Sequence, residues 1–387
     1  MGQIRVPAVF IRGGTSRGIF FRREWLPDRQ EAWAPIFLAA MGSPDPYGRQ
    51  LDGLGGGISS LSKVMIIEPS RRPDIDVDYT FGQVAIGEPR VEYKTNCGNL
   101  TSAIGPFAVD EGLVAASGDQ TTVRLYNTNT KKRVLATFPL DEGKAATEGD
   151  LEIPGVAVRG APIRLEFQDP GGAATGRLLP TGRVVDRIAI AGGTEVEASI
   201  VDATTAVVFV RAEAVGLEGS ELPEDIERNS GILARLEAVR AAAAVLISAA
   251  RTIEEASERS RTVPIVAMVA SPRAAVTLTG ARLHADAMDI TARMLSLGRP
   301  HRALPLTASM CLAVAARIEG TIVHDVARRA DANAELRVAH PSGVMPVAAA
   351  VRKERDWTAE SVIVYRTARR LMEGSVLVPA SRLNGAG

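Results

Sequence analysis

Short apolar runs recur along the chain at residues 6–11, 19–21, 64–67, 77–81, 184–190, 196–201 and 206–210, each bounded by Gly, Pro, Asp or Arg. Runs of that length between turn formers read as strands. Small and apolar residues spaced by three and four predict helices over 31–41, 101–111, 232–250, 307–318 and 358–372. Because strands and helices do not alternate strictly, the pattern predicts an α+β class rather than a doubly wound sheet.

The pattern also repeats. Arg12-Gly13-Gly14-Thr15-Ser16-Arg17-Gly18-Ile19-Phe20-Phe21-Arg22 is echoed 189 residues later by Val201-Asp202-Ala203-Thr204-Thr205-Ala206-Val207-Val208-Phe209-Val210-Arg211. The segment 99–114 is echoed at an offset of 208 by 307–323, and in both, hydroxyl residues precede a small-residue helix that ends at glycine. Two lobes of one architecture are therefore expected, 1–182 and 183–387, joined in the Gly/Pro-rich stretch 170–182. The last segment of the second is placed to pack back on the first.

At 387 residues the length agrees with two or three domains of roughly 150 residues each. Lys+Arg and Asp+Glu are both 45, so the basic footprint of a nucleic-acid or anionic-membrane binder is absent. The 45 cations are six lysines (Lys63, Lys94, Lys131, Lys132, Lys144 and Lys353) and 39 arginines, which makes any lysine in an apolar setting conspicuous. Two cysteines and four histidines are too few for a disulfide framework or a Cys/His zinc cluster, so no metal is expected. No signal-like segment opens the chain, and the apolar run 241–250 is about half of the roughly 20 residues of a membrane span. A cytoplasmic protein is expected, and a homo-oligomer is compatible with this composition.

Two residues carry candidate chemistry. Lys63 follows a glycine and serine loop and opens an all-apolar strand, where desolvation would lower its pKa toward that of a general base. The competing reading is a lysine that snorkels to solvent. Cys97, in Cys97-Gly98-Asn99-Leu100-Thr101, precedes a predicted helix that Asn99 or Thr101 can cap. Unpaired N–H groups there favour an anion and a lowered thiol pKa. A buried cysteine acting as a small hydrophobe is the alternative.

Other features are weaker. The turn 12–18 offers Thr15, Ser16 and close backbone approach to a carboxylate, or it is only a tight turn. His340-Pro341-Ser342-Gly343 can present a ring, a hydroxyl and N–H groups to a second carboxylate, or be structural. Asp74, Asp76 and Asp78 alternate along one strand and read as a solvated edge. Ser60-Leu61-Ser62-Lys63 matches the SxxK string of serine hydrolases, but a strand rather than a helix is predicted to follow. Gly53-Leu54-Gly55-Gly56-Gly57-Ile58 is not a dinucleotide fingerprint.

Taken together, several strings resemble the PrpF family of methylaconitate isomerases, methylitaconate Δ-isomerases and 4-oxalomesaconate tautomerases. They are Val6-Pro7-Ala8-Val9-Phe10-Ile11-Arg12-Gly13-Gly14-Thr15-Ser16, the stretch 42–53, Ser62-Lys63, Asp76-Val77-Asp78-Tyr79 and Asn96-Cys97-Gly98-Asn99. Leu179-Pro180-Thr181-Gly182, His340-Pro341-Ser342-Gly343 and the stretch 366–372 extend the likeness over the whole chain. The resemblance implies a diaminopimelate-epimerase-like fold of two lobes, each a curved, mostly antiparallel sheet about a central helix, with the active site between them. It implies that Lys63 and Cys97 flank the substrate and that helix starts near Asn99 and Ser309 meet its carboxylates. Arg17 stands where the family usually has lysine, and no second cysteine of the epimerase kind lies near Ser309.

The expected activity is a cofactor-free allylic proton shift in a small unsaturated di- or tricarboxylate. Lys63 is the first choice of base and Cys97 of acid, with exchanged roles or either alone also open. Thr15, Ser16, Arg17, Ser62, Gly98, Asn99, Ser309, His340, Ser342 and Gly343 are the candidate substrate contacts. The rival readings are a non-catalytic polycarboxylate-binding accessory protein and an SxxK-type serine hydrolase.

Overall fold

The computed structural model describes residues 2–93, 96–190, 194–259, 262–296, 298–328 and 334–383. The chain divides into two compact units, Met1–Glu166 with Tyr365–Gly387, and Phe167–Val364. The sequence reading puts the division at 182/183. The stretch 170–182 instead goes with the second unit, because Gly172 N–H donates to Asp202 O at 2.8 Å and Asp202 N–H to Leu178 O at 2.9 Å.

In the first unit β1 (Gln3–Gly13) turns into β2 (Ser16–Arg22) as a hairpin that closes at Gly13↔Ser16. β2 runs parallel to β3 (Lys63–Pro69), β3 antiparallel to β4 (Val77–Val84), and β4 parallel to Gln120–Asn127, which pairs antiparallel with Arg133–Asp141. On its free edge β1 takes the strand Ala368–Pro379, antiparallel from Gln3↔Pro379 to Gly13↔Ala368.

Strand alternation sends successive residues of β2 to opposite faces. Ile19 and Phe21 join Val64, Ile66 and Phe37 of α1 (Trp33–Met41) in one core, with the Phe21 and Phe37 rings 5.3 Å apart. Phe20 meets Phe107 of α3 (Ile104–Asp110) at 5.6 Å on the other face, next to α2 (Gly98–Thr101). Each such fully buried aromatic or aliphatic side chain contributes about 1.5–3 kcal/mol. The helices α2 and α3 touch β1 and β2 at one end and Gln120–Asn127 and Arg133–Asp141 at the other, so the sheet wraps them.

The second unit repeats this ladder. Thr194–Ala203 pairs antiparallel with Thr205–Arg211, which runs parallel to Ile265–Ala270. That strand is antiparallel to Ile290–Ser296, which runs parallel to Leu336–His340, itself antiparallel to Gly343–Lys353. The helix Ser230–Leu246 covers one face through Leu236 and Val239, and Leu306–Ala316 lies against the strands Thr194–Ala203, Thr205–Arg211 and Gly343–Lys353.

The pairings give a residue correspondence. Ser16 and Thr205 open the second strand of each hairpin, and three residues on, Ile19 pairs with Val64 as Val208 pairs with Val266. Lys63 therefore corresponds to Ile265. Cys97 and Pro305 are the residues that enter the two central helices.

Three expectations are corrected. Residues 358–372 are not a helix but parts of the strands Trp357–Arg366 and Ala368–Pro379. The three and four spacing there is incidental, and the run Val362-Ile363-Val364-Tyr365 is β-branched and aromatic, which packs well on a pleated surface. The helix expected over 101–111 begins earlier, at Gly98, and is broken into α2 and α3. Asp76 and Asp78 are not a solvated edge, because they are ion-paired with Arg124 and Arg72.

Candidate active site

Lys63 begins β3 on the face that carries the central helix, and only 8% of it is exposed. It sits directly opposite Gln83 in the β3/β4 register, and its Nζ donates to Gln83 Oε1. Gln83 Nε2 in turn donates to Ser62 O at 2.9 Å and Ser59 O at 3.1 Å. The Phe81 ring lies below the amine, its centroid 5.1 Å from Nζ. Burial lowers the pKa of Lys63, and the nearby charge of Cys97 acts in the opposite sense.

Gly18 of β2 makes room for this strand start, since a Cβ there would stand 2.5 Å from Lys63 O. Ser62 is not open to a ligand as expected. It is fully buried, donates to Val84 O at 2.9 Å and accepts from Gln50 Nε2 at 2.7 Å, a link that ties the glycine loop to the strand.

Cys97 is itself the residue that enters α2, in extended conformation, and its Sγ points to Ser16 Oγ at 3.8 Å. Neither Asn99 nor Thr101 caps this helix. Thr101 Oγ1 donates back to Cys97 O at 3.0 Å and lies 3.3 Å from Tyr79 Oη, which accepts from Asn127 Nδ2 at 3.0 Å. Burial pushes the Tyr79 hydroxyl pKa up to about 12, so this network holds Cys97 without titrating near neutrality.

Asn99 faces the hairpin turn instead. Its Nδ2 donates to Thr15 Oγ1 at 3.2 Å, and its Oδ1 accepts from Thr15 N–H at 3.5 Å and Arg366 Nε at 3.1 Å. Gly14, at φ +50°, permits the approach, because a Cβ there would lie 2.2 Å from Asn99 Oδ1. Arg366 is buried, and desolvation brings its pKa down to about 10.

Thr15, Ser16, Lys63, Cys97, Gly98 and Asn99 thus gather where β2, β3 and α2 meet. Arg17 does not join them. Strand alternation puts it on the opposite face of β2, with its guanidinium 5.5 Å from the Phe10 ring. The remaining candidates lie in the second unit. Ser309 does not precede its helix but sits one turn inside it, fully buried, with Oγ donating to Leu306 O at 2.8 Å. His340 and Gly343 close a hairpin. His340 Nδ1 accepts from Ser342 N–H at 3.1 Å, and Ser342 Oγ donates to Arg302 O at 2.6 Å.

Gln83 and Arg366 are the site residues that sequence reasoning missed. Arg366 lies 267 residues from the Asn99 it touches. Gln83 occupies the second-last position of an ordinary-looking strand, and only the pairing register reveals its partner.

Two curved sheets with one strand order, each about a central helix, define the diaminopimelate-epimerase-like α+β fold. A probable proline racemase from Agrobacterium radiobacter shares it at a TM-score of 0.52 and 12% identity, over 96% of this chain and 92% of that one. Within that fold the chain belongs to the PrpF family, whose model, described as PrpF protein, matches residues 3–379. It is similar to 3-methylitaconate isomerase of Eubacterium barkeri, with 43% identity over 98% of this chain and 99% of that protein. It is 39% identical to 2-methyl-aconitate isomerase of Shewanella oneidensis, over 97% of this chain and 98% of the relative. A crystal structure of methylitaconate-delta-isomerase matches with a TM-score of 0.88 and 42% identity, over 100% of this chain and 98% of that one. Among the described residues no helix is long and apolar enough to cross a membrane.

Proposed function

We propose that this protein is an isomerase that moves a C=C double bond in a small unsaturated di- or tricarboxylate by an allylic 1,3-proton transfer. The observation that carries the reading is a buried lysine, held by an uncharged amide and an aromatic face, within electrostatic range of a thiol that heads a helix. Neutral Lys63 removes a proton from the sp³ carbon next to the double bond, and the electron pair spreads into a dienolate. Cys97 delivers a proton to the far carbon of the allyl system. The resulting thiolate takes the proton from the Lys63 ammonium, which restores both groups with no net change in protons.

General acid–base catalysis of this kind supplies about 10²–10⁴-fold. Fixed donors at the anion supply more. Thr15, Ser16, Gly98 and Asn99 are assigned that role, which is supported by Ser16 lying beside Cys97 and by Asn99 being held by Thr15 and Arg366. A proton shift by this route needs no cofactor. Acids of the 3-methylitaconate, 2-methylaconitate and 4-oxalomesaconate type have the required arrangement, and the names of the relatives support the first two. The two cysteines are free and buried, which supports work in the reducing cytoplasm.

Proton NMR in D₂O with these three acids and aconitate tests the reading. Deuterium incorporation together with double-bond migration or cis–trans conversion is expected from the wild type, and loss of both from Lys63→Ala. A panel on which no acid exchanges, or a variant as fast as the wild type, rejects it.

A further inference from the structure

We infer that Gln83 is a positioning residue for Lys63, a neutral acceptor locked in one amide orientation that aims the amine without giving it a counter-charge. The inference rests on the proposed role of Lys63 as the base. The orientation is set by chemistry: the carbonyls of Ser59 and Ser62 can only accept, so the Gln83 NH₂ must face them and Oε1 must face Nζ. The cross-strand position makes the contact obligatory, because Lys63 and Gln83 are direct partners in the β3/β4 ladder.

Both ammonium and amine can donate to a carbonyl oxygen, so the contact survives the proton cycle. An amide oxygen has no proton to offer, so it cannot occupy the amine lone pair that must attack the substrate. A carboxylate at the same place would hold the ammonium form instead. The groups facing Lys63 from its other neighbours fit the same picture. Gly18 of β2 lies against the Lys63 carbonyl, Phe81 of β4 lies under the amine, and Cys97 at the helix start is the titratable group within electrostatic range.

The experiment compares the full-length wild type with Gln83→Glu and Gln83→Leu on 3-methylitaconate and 2-methylaconitate across pH. For Gln83→Glu the rising limb of kcat/KM should move up by about one pH unit or more, with most of the rate recovered above it. For Gln83→Leu kcat should fall by about 10–100-fold with KM little changed, because the amine is present but unaimed. Differential labelling of Lys63 by an amine-reactive reagent, followed by mass spectrometry, reads the same shift without turnover. Its half-labelling pH should rise in Gln83→Glu. Superimposable profiles and labelling curves for wild type and Gln83→Glu overturn the inference, as does full kcat in Gln83→Leu. Failure of Lys63→Ala to lose exchange rejects the base assignment itself, and the labelling curve separates the two outcomes.

Discussion

The first and second units use one ladder for different ends. Where β3 opens on Lys63, the matching strand opens on Ile265, and where Cys97 enters the first central helix, Pro305 enters the second. The hairpin-to-helix contact is kept in both, since Thr15 bonds Asn99 and Thr204 Oγ1 donates to Thr307 O at 2.7 Å. In the second unit that bond satisfies a backbone carbonyl. In the first it links two side chains and draws in Arg366. The thiols differ in the same way: Cys311 is fully buried, donates to Val201 O at 3.2 Å and is pushed far above the usual thiol range by burial, whereas Cys97 faces Ser16. The two units thus differ at a strand start and a helix entry, Lys63 and Cys97 in one and Ile265 and Pro305 in the other.

The largest effect is expected at the strand start. Lys63→Ala should lower kcat/KM by about 10³-fold, within the span of general acid–base catalysis. Ile265→Val, its counterpart, should leave the rate unchanged and cost about 0.5–1.5 kcal/mol in denaturant unfolding. A rate loss at Ile265 would break the contrast. At the helix entry, Cys97→Ala should cost about 10²-fold in isomerisation, while Cys311→Ala should lower stability by about 1 kcal/mol and spare the rate.

A smaller effect separates the two strand starts in stability. Burial lowers the folded-state pKa of Lys63 below its ordinary 10.5, so between those values the unfolded chain binds a proton that the folded chain does not. Stability should therefore rise with pH through that window and be lowest below the folded value. Lys63→Met should remove this dependence and raise Tm by roughly 2–4 °C near neutral pH, which calorimetry can read. The least effect is at the turns. Thr204→Val should cost about 1 kcal/mol with KM unchanged, whereas Thr15→Val should cost a similar amount and also raise KM.

Much of this is legible in the sequence. Lys63 stands out because lysine is rare here, Cys97 because Gly98 and Asn99 follow it, and the repeat because the turn 12–18 and its echo at 201–207 keep their hydroxyls. What could not be read depends on partners distant in sequence. Gln83 matters through register, Arg366 through a contact with Asn99 across most of the chain, and Arg17 through the face onto which β2 turns it. Residues 358–372 form parts of two strands although small and apolar residues recur there by three and four, because the β-branched and aromatic run 362–365 decides the local structure.

The strand Ala368–Pro379 has a consequence for biosynthesis. It is the outer neighbour of β1, so β1 leaves the ribosome long before this partner is made. The unit spanning Phe167–Val364 is contiguous and can fold as it emerges, whereas the unit that carries Lys63 and Cys97 is completed only once the segment after Val364 has also been made. At roughly 5–20 residues per second, β1 keeps an unpaired edge for tens of seconds. Ribosome-bound chains halted before residue 368 should show a protease-resistant second unit and a first unit still open to cleavage.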